Sequence, residues 1–120
     1  MRNKTTQKDF EYFKDRCNFW QEFFGLINWK IYLDHKKTDV LASCYTDYCG
    51  QVATLTLSTS WNMPVTKESL NVSAIHEVLE IMLSPLMSMA KSRVWDYEDY
   101  EKEHHSIIRT LERLFTVKNE

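Results

Sequence analysis

The apolar residues of this chain change their spacing from one segment to the next, and that change limits the folds it can adopt. Between residues 8 and 25, Phe10, Phe13, Cys17, Trp20 and Phe24 recur at steps of three, four, three and four, which marks one face of a helix. Gly25 follows as the residue most tolerant of the left-handed backbone that ends helices, so the helix is expected to stop there. Trp29, Ile31 and Leu33 then alternate with Lys30, Tyr32 and Asp34, a period of two that predicts a half-buried strand. Residues 40–46 and 51–58 are rich in β-branched and aromatic side chains. Asp47-Tyr48-Cys49-Gly50 between them carries turn chemistry, so the two segments read as a hairpin.

The pattern changes again after Trp61-Asn62-Met63-Pro64. Thr66 can cap a helix, and Glu68 lies in its first turn, where a negative charge suits the helix dipole. A long helix is expected to run to about Ser84. Ser84-Pro85 then predicts a kink or a restart, because proline removes a backbone donor, and a shorter helical piece is expected to reach Arg93. Asp96 can cap a final helix in which His104, Ile107, Ile108, Leu111, Leu114 and Phe115 share a face. The predicted order is helix, three strands, helix, short helix, helix. With strands this close in sequence, an α+β domain with a three-stranded antiparallel meander is expected.

A length of 120 residues suits a single domain spanning 1–120 that buries its core without disulfides. Two Gly and two Pro leave little room for linkers. A net charge of -2 and a pI near 6.1 give no basic footprint, so nucleic acid is not an expected partner. The polar first eight residues lack the apolar core of a signal peptide, and no uninterrupted apolar run approaches the roughly 18 residues of a membrane span. No membrane association and a cytoplasmic location are therefore expected. Three cysteines, Cys17, Cys44 and Cys49, form no secreted disulfide framework and suit a reducing compartment. Cys44-x4-Cys49 is not a strong zinc signature, and no local motif marks either thiol as a nucleophile.

One segment carries chemistry. In His76-Glu77-Val78-Leu79-Glu80, His76 and Glu80 are four residues apart, so a helix puts them on one face with Cβ atoms about 5–6 Å apart, within reach of one metal ion. Glu77 projects about 100° further round, where it could take a proton from a metal-bound water, as the glutamate of HExxH enzymes does. The second ligand here is a carboxylate in place of imidazole. A catalytic zinc takes about three protein ligands and an open position, so a third must come from elsewhere. His104, on the apolar stripe of the last helix, is expected to point inward and supply it, with His105, Glu101 and Glu103 in reserve. His35 shares the parity of Ile31 and Leu33, but nothing brings it toward His76. Against this stands the simpler possibility that His76 and Glu80 merely pair at a core edge.

The chain resembles small zincin-like metallopeptidases encoded by phages and prophages. The resemblance rests on Trp29-Lys30-Ile31-Tyr32, Ala53-Thr54-Leu55-Thr56-Leu57, Ala74-Ile75-His76-Glu77-Val78-Leu79-Glu80 and the stretch from Glu103 to Glu112. It implies a minimal zincin fold, Zn²⁺ or another divalent transition metal on His76, Glu80 and a last-helix ligand, Glu77 as general base, and a peptide or protein substrate. It also implies that a strand edge beside the active helix pairs with the substrate, residues 52–58 being the expected segment. Location would then be the host cytoplasm. This sequence departs from the commonest zincin pattern at Glu80, where histidine is usual. The competing expectation is a catalytically inactive phage-type accessory or inhibitor protein that binds a host protein, through a strand edge or the acidic-aromatic run from Trp95 to Glu103. That run otherwise reads as a solvated helix start, and Met82, Met87 and Met89 as core filler.

Overall fold

A computed structural model describes residues 3–92 and 96–117, with side chains through Leu114. Its elements are α1 (Gln7–Phe23), β1 (Lys30–His35), β2 (Ala42–Asp47), β3 (Val52–Leu57), α2 (Lys67–Lys91) and α3 (Tyr97–Val117), an α+β arrangement. The chain groups into two compact units, Met1–Ile81 and Met82–Glu120. Arg93, Trp95 and the Phe115 side chain, all used in the expectations above, lie outside the described residues.

Helix α1 begins and ends as its sequence dictates. The Thr6 hydroxyl accepts the Asp9 amide at 3.2 Å while the Asp9 carboxylate accepts the Thr6 amide at 2.7 Å, closing a capping box. At the other end Gly25 takes φ 74°, its N–H donates to the Glu22 carbonyl, and Leu26 donates to Gln21. That pair of bonds satisfies the last carbonyls of the helix, and a side chain at Gly25 would strain it. The helix buries Phe13 and Cys17.

The sheet differs from the expected meander. Its order is β1-β3-β2, with β1 parallel to β3 and β2 antiparallel to β3. Two of the three expectations hold, the strands themselves and the β2–β3 hairpin, but the last strand inserts between the first two. The reason lies in burial: Ala53, Leu55, Thr56 and Leu57 of β3 are all buried, so this strand is covered on both faces. Lys30, Tyr32, Tyr45 and Asp47 leave β1 and β2 fit only for edges. Each fully buried leucine of β3 contributes about 1.5–3 kcal/mol, which favours the central slot for the most apolar strand. The hairpin closes with the Asp47 carboxylate accepting the Gly50 amide at 3.2 Å, and with Gln51 at φ 53°.

By register, Ile31, Leu33 and His35 share a sheet face with Ala53, Leu55 and Leu57 and with Ala42, Cys44 and Thr46. Helix α1 covers that face at one end, where Phe10 stacks on His35 with ring centroids 4.9 Å apart. The first half of α2 completes the core with Leu70, Ala74, Val78 and Ile81, all at most 1% exposed. Thr66 caps α2 as expected, accepting the Ser69 amide at 3.0 Å. Asn71 ties the two helices together, its side-chain oxygen accepting Arg16 Nε at 2.8 Å and Trp20 Nε1 at 2.9 Å.

Helix α2 does not end near Ser84. It continues through Pro85 to Lys91, so neither a restart nor a separate short helix forms. The helix also contains an 18-residue window of mean hydropathy 1.2, long and apolar enough by length and composition to cross a membrane. The sequence offers no uninterrupted run of that length, and the first half of the same helix supplies core residues, which accounts for much of its apolarity. In the second unit, Asp96 caps α3 by accepting the Asp99 amide at 2.8 Å. The expected apolar face of α3 is only partly covered: Ile107, Ile108 and Leu114 are half-buried and Leu111 is exposed. Of the methionines expected to fill core, Met82 and Met89 are half-buried and Met87 is exposed.

Candidate metal site

The faces of α2 sort the motif residues. Because Ala74, Val78 and Ile81 point into the core, His76 and Glu80 fall on the solvent side and Glu77 on the boundary. The side chains of His76 and Glu80 are 69% and 55% exposed, and His76 Nε2 lies 3.9 Å from Glu80 Oε1. Two donors on a tetrahedral zinc, each about 2.0–2.1 Å from it, stand about 3.4 Å apart, so a small side-chain rotation brings this pair to ligand spacing. The separation is also too long for a hydrogen bond. The two groups thus fit a divalent cation as a pair.

Glu77 is only 6% exposed. Burial pushes its carboxyl above the usual carboxylate range; His76 opposes that shift and Glu80 adds to it. Two thiols share this neighbourhood. Cys44, half-buried on β2, is pushed up to about 12 by burial, then by Glu77 and Glu80. Cys17 on α1 is pushed up too, by burial, then by Glu77 and Cys44. Both stay protonated near neutral pH, which makes them poor nucleophiles. Their placement was not legible in the sequence, since it depends on β2 facing α1 and α2 across the sheet.

His76 and Glu77 open on a cleft of about 260 Å³ whose other walls are Leu41, Ala42, Val72 and Ser73. The strand beside it is β2. Residues 52–58 cannot serve as the substrate-pairing edge, because β3 is paired with β1 on one side and β2 on the other, and the Ser58 amide donates to the Leu41 carbonyl. The edge next to α2 left unpaired by the sheet is that of β2.

The proposed third ligand lies in the second unit. His104 is exposed, not turned inward as its place on the stripe suggested, and its ring stacks on Tyr100 one turn earlier at 5.8 Å. His105 Nε2 lies 3.0 Å from Glu101 Oε2. Glu101 is held below the usual carboxylate range by the Tyr97 hydroxyl and then by His105, while Glu103 is half-buried. Among the described residues, no group of three or more His, Cys, Asp or Glu side chains is drawn together to hold a metal ion. His35 has a structural role, with Nε2 2.7 Å from the Thr5 hydroxyl and its ring on Phe10. No protein-family model, curated protein or solved structure matches the chain.

Proposed function

We propose that this protein is a metal-dependent hydrolase of the zincin-like type, acting on peptide bonds. The observation that carries the reading is the exposed His76–Glu80 pair with the buried Glu77 beside it at the mouth of the cleft. His76 and Glu80 would hold the ion, zinc or another divalent transition metal; His104, the third ligand expected from the sequence, belongs to the second unit. When bound, such an ion acts as a Lewis acid and lowers the pKa of water to about 7. Glu77 takes the proton from the attacking water as its oxygen adds to the peptide carbonyl, and returns it to the amine nitrogen as the C–N bond breaks. Burial favours the protonated carboxyl, which suits a group that must accept that proton. An extended peptide is held along the free edge of β2 by main-chain hydrogen bonds.

Glu77→Gln keeps the size of the side chain and removes the base. It is expected to lower hydrolysis by about 10²–10⁴-fold with metal content unchanged; a variant that keeps the full rate contradicts the assignment. Elemental analysis of protein purified without chelator or affinity-tag metal should find near-stoichiometric metal that is lost in His76→Ala.

A second reading, an inactive accessory or inhibitor protein that binds a host protein, draws on a different observation. Phe19, Phe23 and Ile27 are exposed at the end of α1, where Phe19 packs edge-on against Trp20. Metal-free wild-type protein that binds no metal at micromolar concentration favours this reading.

A further inference from the structure

The cleft that holds Glu77 does not end at Val72. A second hollow of about 360 Å³, lined by Leu41, Met63, Thr66, Glu68, Ser69, Val72 and Ser73, shares Leu41, Val72 and Ser73 with it. The two form one groove along α2. Val72 and Ser73 precede His76 and Glu77 by four residues, so the second hollow lies about one helical turn, roughly 6 Å, from the reacting groups.

Its walls are largely apolar, with the exposed carboxylate of Glu68 on the lining as the one charge. Met63 is 40% exposed and Val72 is 58% exposed, and with Leu41 they present their side chains to the hollow. The hydroxyls on its floor are already engaged: Thr66 and Ser69 bond each other at 2.9 Å, each accepts the other's amide, and Ser69 donates to the Thr66 carbonyl. The helix start is therefore capped and offers an anion little. An anionic group placed here would give up water and meet the Glu68 carboxylate without gaining a partner.

Resting on the hydrolase reading above, we propose that the Leu41–Met63–Val72 hollow is a specificity pocket for an apolar substrate side chain. An extended chain advances about 3.3 Å per residue, so a distance of one helical turn puts that side chain one or two residues from the bond held at Glu77. The substrate is thus an extended peptide with a leucine-like residue next to or one removed from the cleaved bond.

The test uses two five-residue alanine peptides, capped at both ends, with leucine or aspartate in the centre. They are titrated to millimolar concentration into the full chain while the Met63 methyl signal is followed by NMR. The leucine peptide is expected to shift that signal and the aspartate peptide to leave it unmoved. Val72→Lys, at an exposed position that does not disturb folding, should weaken the leucine peptide about tenfold or more. No shift, or equal response to both peptides, overturns the pocket. The failures separate: a selective Met63 shift without hydrolysis by zinc-loaded protein sustains the pocket and overturns the hydrolase reading. Hydrolysis that ignores the leucine overturns the pocket alone.

Discussion

The protein carries two His/Glu pairs at a spacing of four residues, and they are in different states. On α3, Glu101 and His105 are 3.0 Å apart, a closed hydrogen bond that uses one acceptor and one ring nitrogen. On α2, His76 and Glu80 stand 3.9 Å apart and make no hydrogen bond to each other. Their settings differ as well. The α2 pair is mounted on a turn whose inner side chains, Ala74, Val78 and Ile81, are fully buried, and it has the buried carboxyl of Glu77 beside it. The α3 pair rides on a helix whose apolar stripe is half-covered at best. Equal spacing therefore does not mean equal function: a pair satisfied by itself has less to offer a cation than one held open on a rigid support.

That contrast can be broken first at the supports. Ile81→Ala is expected to cost about 2–5 kcal/mol of folding stability, measured by urea unfolding, whereas Leu111→Ala on the exposed stripe should stay within about 1 kcal/mol. Equal costs would remove the distinction between the two platforms. The pairs themselves come next. His76→Ala should weaken zinc binding about 100-fold in a competition assay with a metal-sensitive dye, and His105→Ala should leave it unchanged. The reverse order would move the site to α3. Chemical labelling gives the finest resolution of the Glu77 neighbourhood. With Cys44 pushed up to about 12, only about one such thiol in ten thousand is ionised at pH 8. Since raised thiol values suppress the reactive thiolate until the pH approaches them, iodoacetamide at pH 8 should modify exposed Cys49 first, Cys44 slowly and Cys17 only on unfolding, as read by peptide mass spectrometry. Rapid labelling of Cys17 in the native protein would show that the ground beneath Glu77 is open.

Much of the local structure was legible because it is written in short-range chemistry. Thr6 was not singled out, but the spacing from Phe10 to Phe24, the stop at Gly25, the Asp47–Gly50 turn and the Thr66 and Asp96 caps each depend on residues within a turn or two. The order of the strands was not legible in that way. It follows from β3 being buried on both faces, and the alternation of threonine with alanine and leucine in 53–57 resembles a half-exposed strand. The same error placed the substrate edge on 52–58 instead of on β2. Pro85 misled in the opposite direction, since one missing donor did not stop a helix already anchored by Leu70 to Ile81. For the candidate site, periodicity sufficed to put His76 and Glu80 side by side, but the long-range step from α2 to a third ligand has no signal in spacing. The exposure of His104 shows how weak a guide the stripe was.

The middle position of β3 also sets the order of assembly. Its antiparallel neighbour is joined to it by a four-residue turn, while its parallel neighbour pairs Lys30 with Val52 across the whole intervening loop and hairpin. Closing the short loop costs less chain entropy, so the hairpin is expected to form first and β1 to add to it afterwards. Until β1 docks, the most apolar strand of the protein has one naked flank. The interval between those two events is when this chain is most exposed to pairing with another copy of itself.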